Sequence, residues 1–312
     1  MSKNLKQIAD TNHTLGRSQF INTQYTIITP VQILPGKSIR IPVWINQAQN
    51  LGIEVILIQD AKSKPDVDYF KELIRGWDQI GSFKSLKFFS GDFGNPGSAR
   101  NFGIDQATGD WIVFWDSDDE PSVDALLSVL KAAENKSSQI AISSFTTCSE
   151  ISGDAESRTF VPHKSNLIRN LTDYPGIWRF AFKRDVIGEK RFPASKMGED
   201  QAFLSSLGIF DYKIHISDEV TYKYYFGNAS HLVSQKHARQ EILISINFII
   251  ENLTTQTGLN LELKKTLLTK QLLTSLKLGS YKTKLIAFQI LFRLLFQDKS
   301  FAKIVIHLIR KS

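Results

Sequence analysis

The sequence predicts an α/β fold: a mainly parallel sheet flanked by helices, with an all-helical extension at the C-terminal end. Three observations predict it. Between Tyr25 and about Phe145, short β-rich runs alternate with stretches of helical periodicity, the rhythm of strand–helix–strand units. The runs are nearly continuous in apolar residues, as strands covered on both faces should be. From about residue 236 onward the pattern turns helical, leucine-rich and basic.

Taken in order, residues 1–23 read as a polar N-terminal extension, since "MSKNLKQIADTNHTLGRSQF" lacks the uninterrupted apolar core of a secretory signal. The candidate strands are "YTIIT" (25–29), "IEVILI" (53–58), "LKFFS" (86–90), "WIVFW" (111–115) and "IAISSF" (140–145). Between them "SIRIPVWINQAQN", "DVDYFKELIRGW", "GSARNFGIDQAT" and "SVDALLSVLKAAE" read as crossover helices. Residues 146–235 lose the alternation and carry loops, aromatics and a short helical segment beginning near Gly198; they look like the part that completes a site. The chain thus divides into 1–23, a unit over 24–235 with halves 24–145 and 146–235, and a basic helical region over 236–312 with breaks near Gly258 and Gly279-Ser280.

Composition narrows the function classes. The 312 residues suffice for a sizeable core. A single cysteine, Cys148, excludes an intramolecular disulfide framework and any multi-cysteine zinc site, and suits a reducing cytoplasm. No window reaches the 18 or so continuous apolar residues of a membrane-spanning helix. The net charge of +7 hints at nucleic acid, but residues 236–312 hold 13 of the 38 Lys+Arg against 4 of the 31 Asp+Glu, a net of +9 that leaves −2 for the rest. The basic character belongs to the tail, and no nucleic-acid partner is expected.

Ligands of such sheets lie beyond the carboxyl ends of the strands, where this sequence places Thr29-Pro30, Asp60 and the acidic run Asp116, Asp118, Asp119 and Glu120. Like charges so crowded call for a positive partner. Asp116 and Asp118, at i and i+2 on a turning chain, can both offer oxygens to one hard divalent cation. The competing explanation is helix capping by Asp118 or Asp119, with Pro121 at the helix start. Arg100 falls in the first turn after Gly97-Ser98, where a helix disfavours a cation unless an anion faces both; a solvent-exposed arginine is the alternative.

"GSARNFGIDQATGDWIVFWDSDD" resembles the signature of family 2 glycosyltransferases of the GT-A fold: an Ala-Arg-Asn-x-Gly helix, an Ala-x-Gly turn, an apolar strand and an Asp-x-Asp motif at this spacing. "IITPV", "INQAQNLGIEVILIQDAKS", "IWRFAFKRDVI" and "KMGEDQAFLSSL" resemble further family segments in the right order, over roughly residues 24–234. The resemblance implies a GT-A type, Rossmann-like sheet, with 24–145 binding the nucleotide sugar and 146–235 on the acceptor side. It implies an inverting transfer from a nucleotide-activated sugar, most often a uridine diphosphate sugar, to a hydroxyl of a glycan or lipid-linked acceptor in cell-surface polysaccharide synthesis, by a hexosyl- or N-acetylhexosaminyl-transferase.

By the same resemblance Asp60 would contact the base, Arg100 and Ser117 would sit by the nucleotide, and Thr29 and Pro30 would form pocket wall. Asp116 and Asp118 would hold Mn²⁺ or Mg²⁺ against the diphosphate. Asp200 would be the general base, with Glu199 and Trp178 orienting the loop or the acceptor; the plainer explanation of "GED" is acids complementing a helix N-terminus. Departures from the family lie at Gln59-Asp60, where paired acids are usual, at Pro42, where relatives run a helix, and in "TYKYYFGNASHLVS", which lacks the usual arginine and histidine and offers only His231 nearby. No Gln-x-x-Arg-Trp element of processive synthases is present, so one sugar per encounter is expected.

In the tail, Gln289, Arg293 and Gln297, then Lys303, His307 and Arg310 or Lys311, leave wide apolar faces. Such helices suit packing on the catalytic domain, a homodimer contact, or an anionic membrane surface through 281–312 at the inner face of the plasma membrane. A catalytically silent nucleotide-sugar or glycan-binding assembly partner is the competing reading to an enzyme.

Overall fold

The computed structural model describes residues 6–9, 24–31, 40–60, 86–151, 153–227 and 240–310. The second expected helix segment, 66–77, and His231 lie outside the described residues. In chain order the strands are β1 (Lys6–Ala9), β2 (Tyr25–Val31), β3 (Glu54–Asp60), β4 (Leu86–Gly91), β5 (Trp111–Phe114), β6 (Glu120–Pro121), β7 (Ile140–Ser149), β8 (Gly153–Phe160), β9 (Phe180–Lys183) and β10 (Ile214–Phe226). The helices are α1 (Ile41–Asn50), α2 (Pro96–Gln106), α3 (Val123–Asn135), α4 (Leu167–Asp173), α5 (Arg184–Ile187), α6 (Glu199–Ser206), α7 (Ile242–Glu251), α8 (Gly258–Leu278), α9 (Tyr281–Gln297) and α10 (Lys299–Ile309).

These strands form one mixed sheet in the order β1-β4-β3-β2-β5-β9-β7-β10-β6, with β8 beside β7. The block β4-β3-β2-β5 is parallel, as is the β7–β10 pair. Period-two alternation explains the continuous apolar runs. Ile27, Val55, Leu57 and Val113 face a core under α1 and α3, while Ile28, Ile56, Ile58 and Phe114 face a second core shared with α2, α6 and α8. Gly103 brings α2 against the sheet, since a Cβ there would lie 2.4 Å from Ile28 Cγ2. Buried Glu54 ties this layer: it accepts from Thr26 Oγ1 at 2.6 Å and Thr108 N at 2.7 Å, and pairs with Lys87 at 2.7 Å.

The expected helix in "SIRIPVWINQAQN" forms as α1 from Ile41, with Pro42 in its first turn, where its missing N–H costs nothing. Two expectations need correction. The described residues between 146 and 227 are not mainly loop: β9 inserts antiparallel between β5 and β7, and β10 runs 13 residues beside β7. The signal was hidden because β9 has four residues, and the polar run Ser217 to Glu219 falls at a register shift of β10. The N-terminal extension also supplies β1, an antiparallel edge strand on β4. The C-terminal helices pack on the sheet domain through a third core, in which Ile246 of α7, Leu268 and Leu272 of α8 and Leu291 of α9 meet Ala202 of α6.

Candidate active site

The carboxyl ends of β2, β3 and β5 open on one cavity of about 990 Å³, lined there by Pro30, Asp60 and Asp116 to Asp119. On the other side the same cavity is lined by Glu199, Asp200, Trp178, Tyr174 and Phe160. Asp60 accepts from the backbone N–H groups of Phe93 and Gly94 at 2.8 and 3.0 Å, which fixes the turn into α2. Asn95 caps that helix by accepting from Ser98 N at 2.8 Å. The helix starts at Pro96, so Arg100 stands in its second turn rather than its first.

Arg100 is the centre of the site. Only 3% of it is exposed. Its Nη2 pairs with Asp116 Oδ1 at 2.8 Å, and its Nη1 reaches Glu199 Oε1 at 3.0 Å and Asp200 Oδ1 at 3.1 Å. Burial alone would lower its pKa; the carboxylates of Asp200, Asp116 and Glu199 outweigh burial and hold it above its ordinary value. The anions that reverse the cost of a cation on this helix are therefore side chains of the chain itself.

The acidic turn is shaped by hydrogen bonds, and capping does not account for it. Ser122, not Asp118 or Asp119, caps α3, accepting from Ala125 N, and Pro121 belongs to β6. Asp119 is buried and accepts from the Tyr222 hydroxyl at 2.8 Å and from Tyr225 N at 2.7 Å. The same Tyr222 hydroxyl accepts from Asp116 N at 3.1 Å. Burial, then Asp118 and Asp116, push the Asp119 carboxyl well above its ordinary range. Arg40 holds the turn from the other side, donating from its backbone N to Ser117 O at 2.8 Å and from Nε to Asp118 O at 3.0 Å. Its guanidinium lies 3.7 Å over the Tyr225 ring and pairs with Glu150 at 3.1 Å.

Asp200 enters from α6. Gly198 precedes it with φ +79°, a conformation that disfavours any Cβ, and a Cβ there would meet Gln271 Nε2 at 2.7 Å. Gln271 of α8 donates to Gly198 O at 2.9 Å, and Ser245 of α7 donates to Met197 O at 2.9 Å. Asp200 Oδ2 accepts from Ile177 N at 3.1 Å. Burial pushes the Asp200 pKa up to about 7, Glu199 and Asp116 add to the rise, and Arg100 opposes it. Trp178 stacks on Tyr222 and Tyr224 with centroids 4.6 and 5.6 Å apart. Phe160 and Tyr174 approach to 4.2 Å on the same wall.

Of the residues singled out from sequence, Pro30, Asp60, Arg100, Asp116, Ser117, Asp118, Trp178, Glu199 and Asp200 line the one cavity, whereas Thr29 is fully buried and does not line it. Ser117 Oγ and Arg100 Nε are buried in its wall without a hydrogen-bond partner, polar capacity left for a ligand. Arg40, Tyr222, Tyr225, Ser245 and Gln271 were missed. The cluster "TYKYY" held a signal for the two tyrosines; nothing local marks Arg40 or Gln271.

Among the described residues no three His, Cys, Asp or Glu side chains converge as a metal cage. A hard divalent cation carried by a diphosphate needs only one or two carboxylates. Asp116 and Asp118, oxygen donors on the cavity wall, fit that requirement.

The family model for glycosyl transferase family 2 matches residues 43–186, the stretch that carries Asp60, Arg100 and the acidic turn. Among solved structures, residues 1–349 of S. aureus TarS in complex with UDP-GlcNAc align with a TM-score of 0.59 at 17% identity, over 82% of this chain and 73% of that one. The mannosyltransferase PcManGT from Pyrobaculum calidifontis, in complex with GDP-Man and Mn²⁺, aligns with a TM-score of 0.51 at 14% identity, over 90% and 83%. At these identities the likeness is one of fold. No curated protein matches the chain.

Proposed function

We propose that the chain is a metal-dependent inverting glycosyltransferase that moves one hexosyl or N-acetylhexosaminyl unit from a UDP-sugar to a hydroxyl of a glycan or lipid-linked acceptor. It would work in cell-surface polysaccharide synthesis, in the cytoplasm or at the inner face of the plasma membrane. One observation carries the reading: a single buried guanidinium joins Asp116, on the leaving-group side, to Asp200, on the acceptor side, within one cavity.

In this reading Asp200 takes the proton of the acceptor hydroxyl as its oxygen bonds to the anomeric carbon. The bond from that carbon to the diphosphate oxygen breaks on the opposite face, and its electron pair leaves with the nucleoside diphosphate. A pKa of about 7 leaves Asp200 able both to hold and to release that proton near neutrality. Arg100 keeps Asp116 and Asp200 in register, and Asp60 and Pro30 border the nucleoside. Asp116 and Asp118 would hold Mn²⁺ or Mg²⁺, which would neutralise charge developing on the departing diphosphate. The UDP-GlcNAc bound by TarS supports a uridine donor, and the Mn²⁺ bound with GDP-Man by PcManGT supports the metal.

A panel of nucleotide sugars, followed by thermal shift with and without Mn²⁺, tests the reading. Metal-dependent stabilisation by a uridine donor is expected. The absence of any response across the panel would overturn it.

A further inference from the structure

Helix α9 has two apolar faces. One, with Ala287, Leu291 and Leu294, is buried in the core shared with α7 and α8. The other faces outward, with Tyr281, Leu285, Phe288, Phe292 and Phe296 exposed by 86, 47, 57, 52 and 76%. Their spacing of three and four residues sets them on one stripe, and the rings form a ladder, Phe288 to Phe292 at 6.1 Å and Phe292 to Phe296 at 4.6 Å. Scattered exposed apolar residues need no explanation; a continuous aromatic stripe does.

The charges beside it choose the occupant. From Tyr281 to Arg310 the cations are Lys282, Lys284, Arg293, Lys299, Lys303 and Arg310, and the only acid is Asp298, which pairs with Lys265 of α8. A second copy meeting this face through two-fold symmetry would bring like charges together. An anionic surface would be attracted. No helix among the described residues is long and apolar enough to cross a membrane, so the geometry is that of a helix lying in the interface, rings down and cations toward headgroups. We propose that the outward face of α9, continued by the basic α10, docks on an anionic lipid surface.

This extends the proposed site of action at the inner face of a membrane, but the binding needs neither donor nor acceptor. Its failure would therefore leave the transfer reading intact.

The test sediments the full chain with vesicles of phosphatidylcholine and phosphatidylglycerol, and with phosphatidylcholine alone, in low and high salt. Binding to the anionic vesicles alone, lost at high salt, is expected. Lys282→Gln, Lys284→Gln and Arg293→Gln should each weaken it roughly fivefold, as about 1 kcal/mol per cation implies. Phe292→Ser with Phe296→Ser should abolish it while an unchanged unfolding transition shows the fold is kept. Recovery of the wild type in the supernatant, or equal binding to both vesicle types, would overturn the proposal. So would a dimer in sedimentation equilibrium that the Phe292→Ser, Phe296→Ser chain fails to form and that binds no vesicles.

Discussion

Arg100 is a cation near the positive end of a helix, almost wholly buried, and stable there because three carboxylates surround it. Removing one partner of a buried ion cluster leaves the rest uncompensated. Arg100→Met is expected to cost about 3 kcal/mol, read from urea unfolding. Because Arg100 lowers the Asp200 pKa, the same variant should carry the acidic limb of the pH–rate profile upward. In the wild type that limb should centre near the Asp200 value of about 7, activity rising as the carboxylate ionises. The sign for stability is opposite. A carboxyl whose folded pKa is raised contributes stability below its unfolded pKa and loses it as pH rises through the folded one. Asp200→Asn should therefore unfold at a higher temperature than wild type above about pH 7, with the gap closing in acid. The acidic turn, Arg100 and the Glu199-Asp200 pair were legible in the sequence as isolated hints. That they share one guanidinium was not, because 99 residues separate Arg100 from Glu199.

Among the elements, α8 supports the candidate site most directly, despite lying far along the chain from the motifs. It donates Gln271 Nε2 to Gly198 O, and Lys270 Nζ to Asp173 O at 3.0 Å, so it grips two loops that border the cavity. Gln271→Leu should lower kcat about tenfold, a positioning loss of roughly 1.4 kcal/mol, while leaving donor KM unchanged; equal loss in both would indicate general destabilisation instead. Gly198→Ala, strained at φ +79° and crowded by Gln271, should cost about 1–2 kcal/mol. Strands β2, β3, β4, β5 and β7 were legible because each buries side chains on both faces. Strand β9 and the end cap of α3 were not: four residues carry no periodicity, and Asp118, Asp119 and Ser122 all have capping side chains that only the backbone path distinguishes.

At the scale of the molecule, the basic tail is joined to the site, because the core under α9 continues through α7 and α8 to Ala202, two residues from Asp200. A chain ending at residue 235 would expose Phe203, Leu204 and Ala202 and lose the hydrogen bonds of Gln271 and Ser245 to Gly198 O and Met197 O, beside Asp200. It is expected to lose its cooperative unfolding transition, which calorimetry would show. The change of composition at residue 236 suggested separate jobs for the two parts, since sequence reports charge and periodicity, not which faces meet. In the proposed reaction the nucleoside diphosphate leaves on the Asp116 side of one cavity and Asp200 takes the acceptor's proton on the other side. The most direct measurement is the rate of nucleoside diphosphate release by wild type and Asp200→Asn, with Mn²⁺, saturating UDP-sugar and a glycan acceptor that bears the free hydroxyl, less the release seen without acceptor. The account predicts a loss of roughly 10²–10⁴-fold with donor affinity unchanged; release by the variant at the wild-type rate would contradict it.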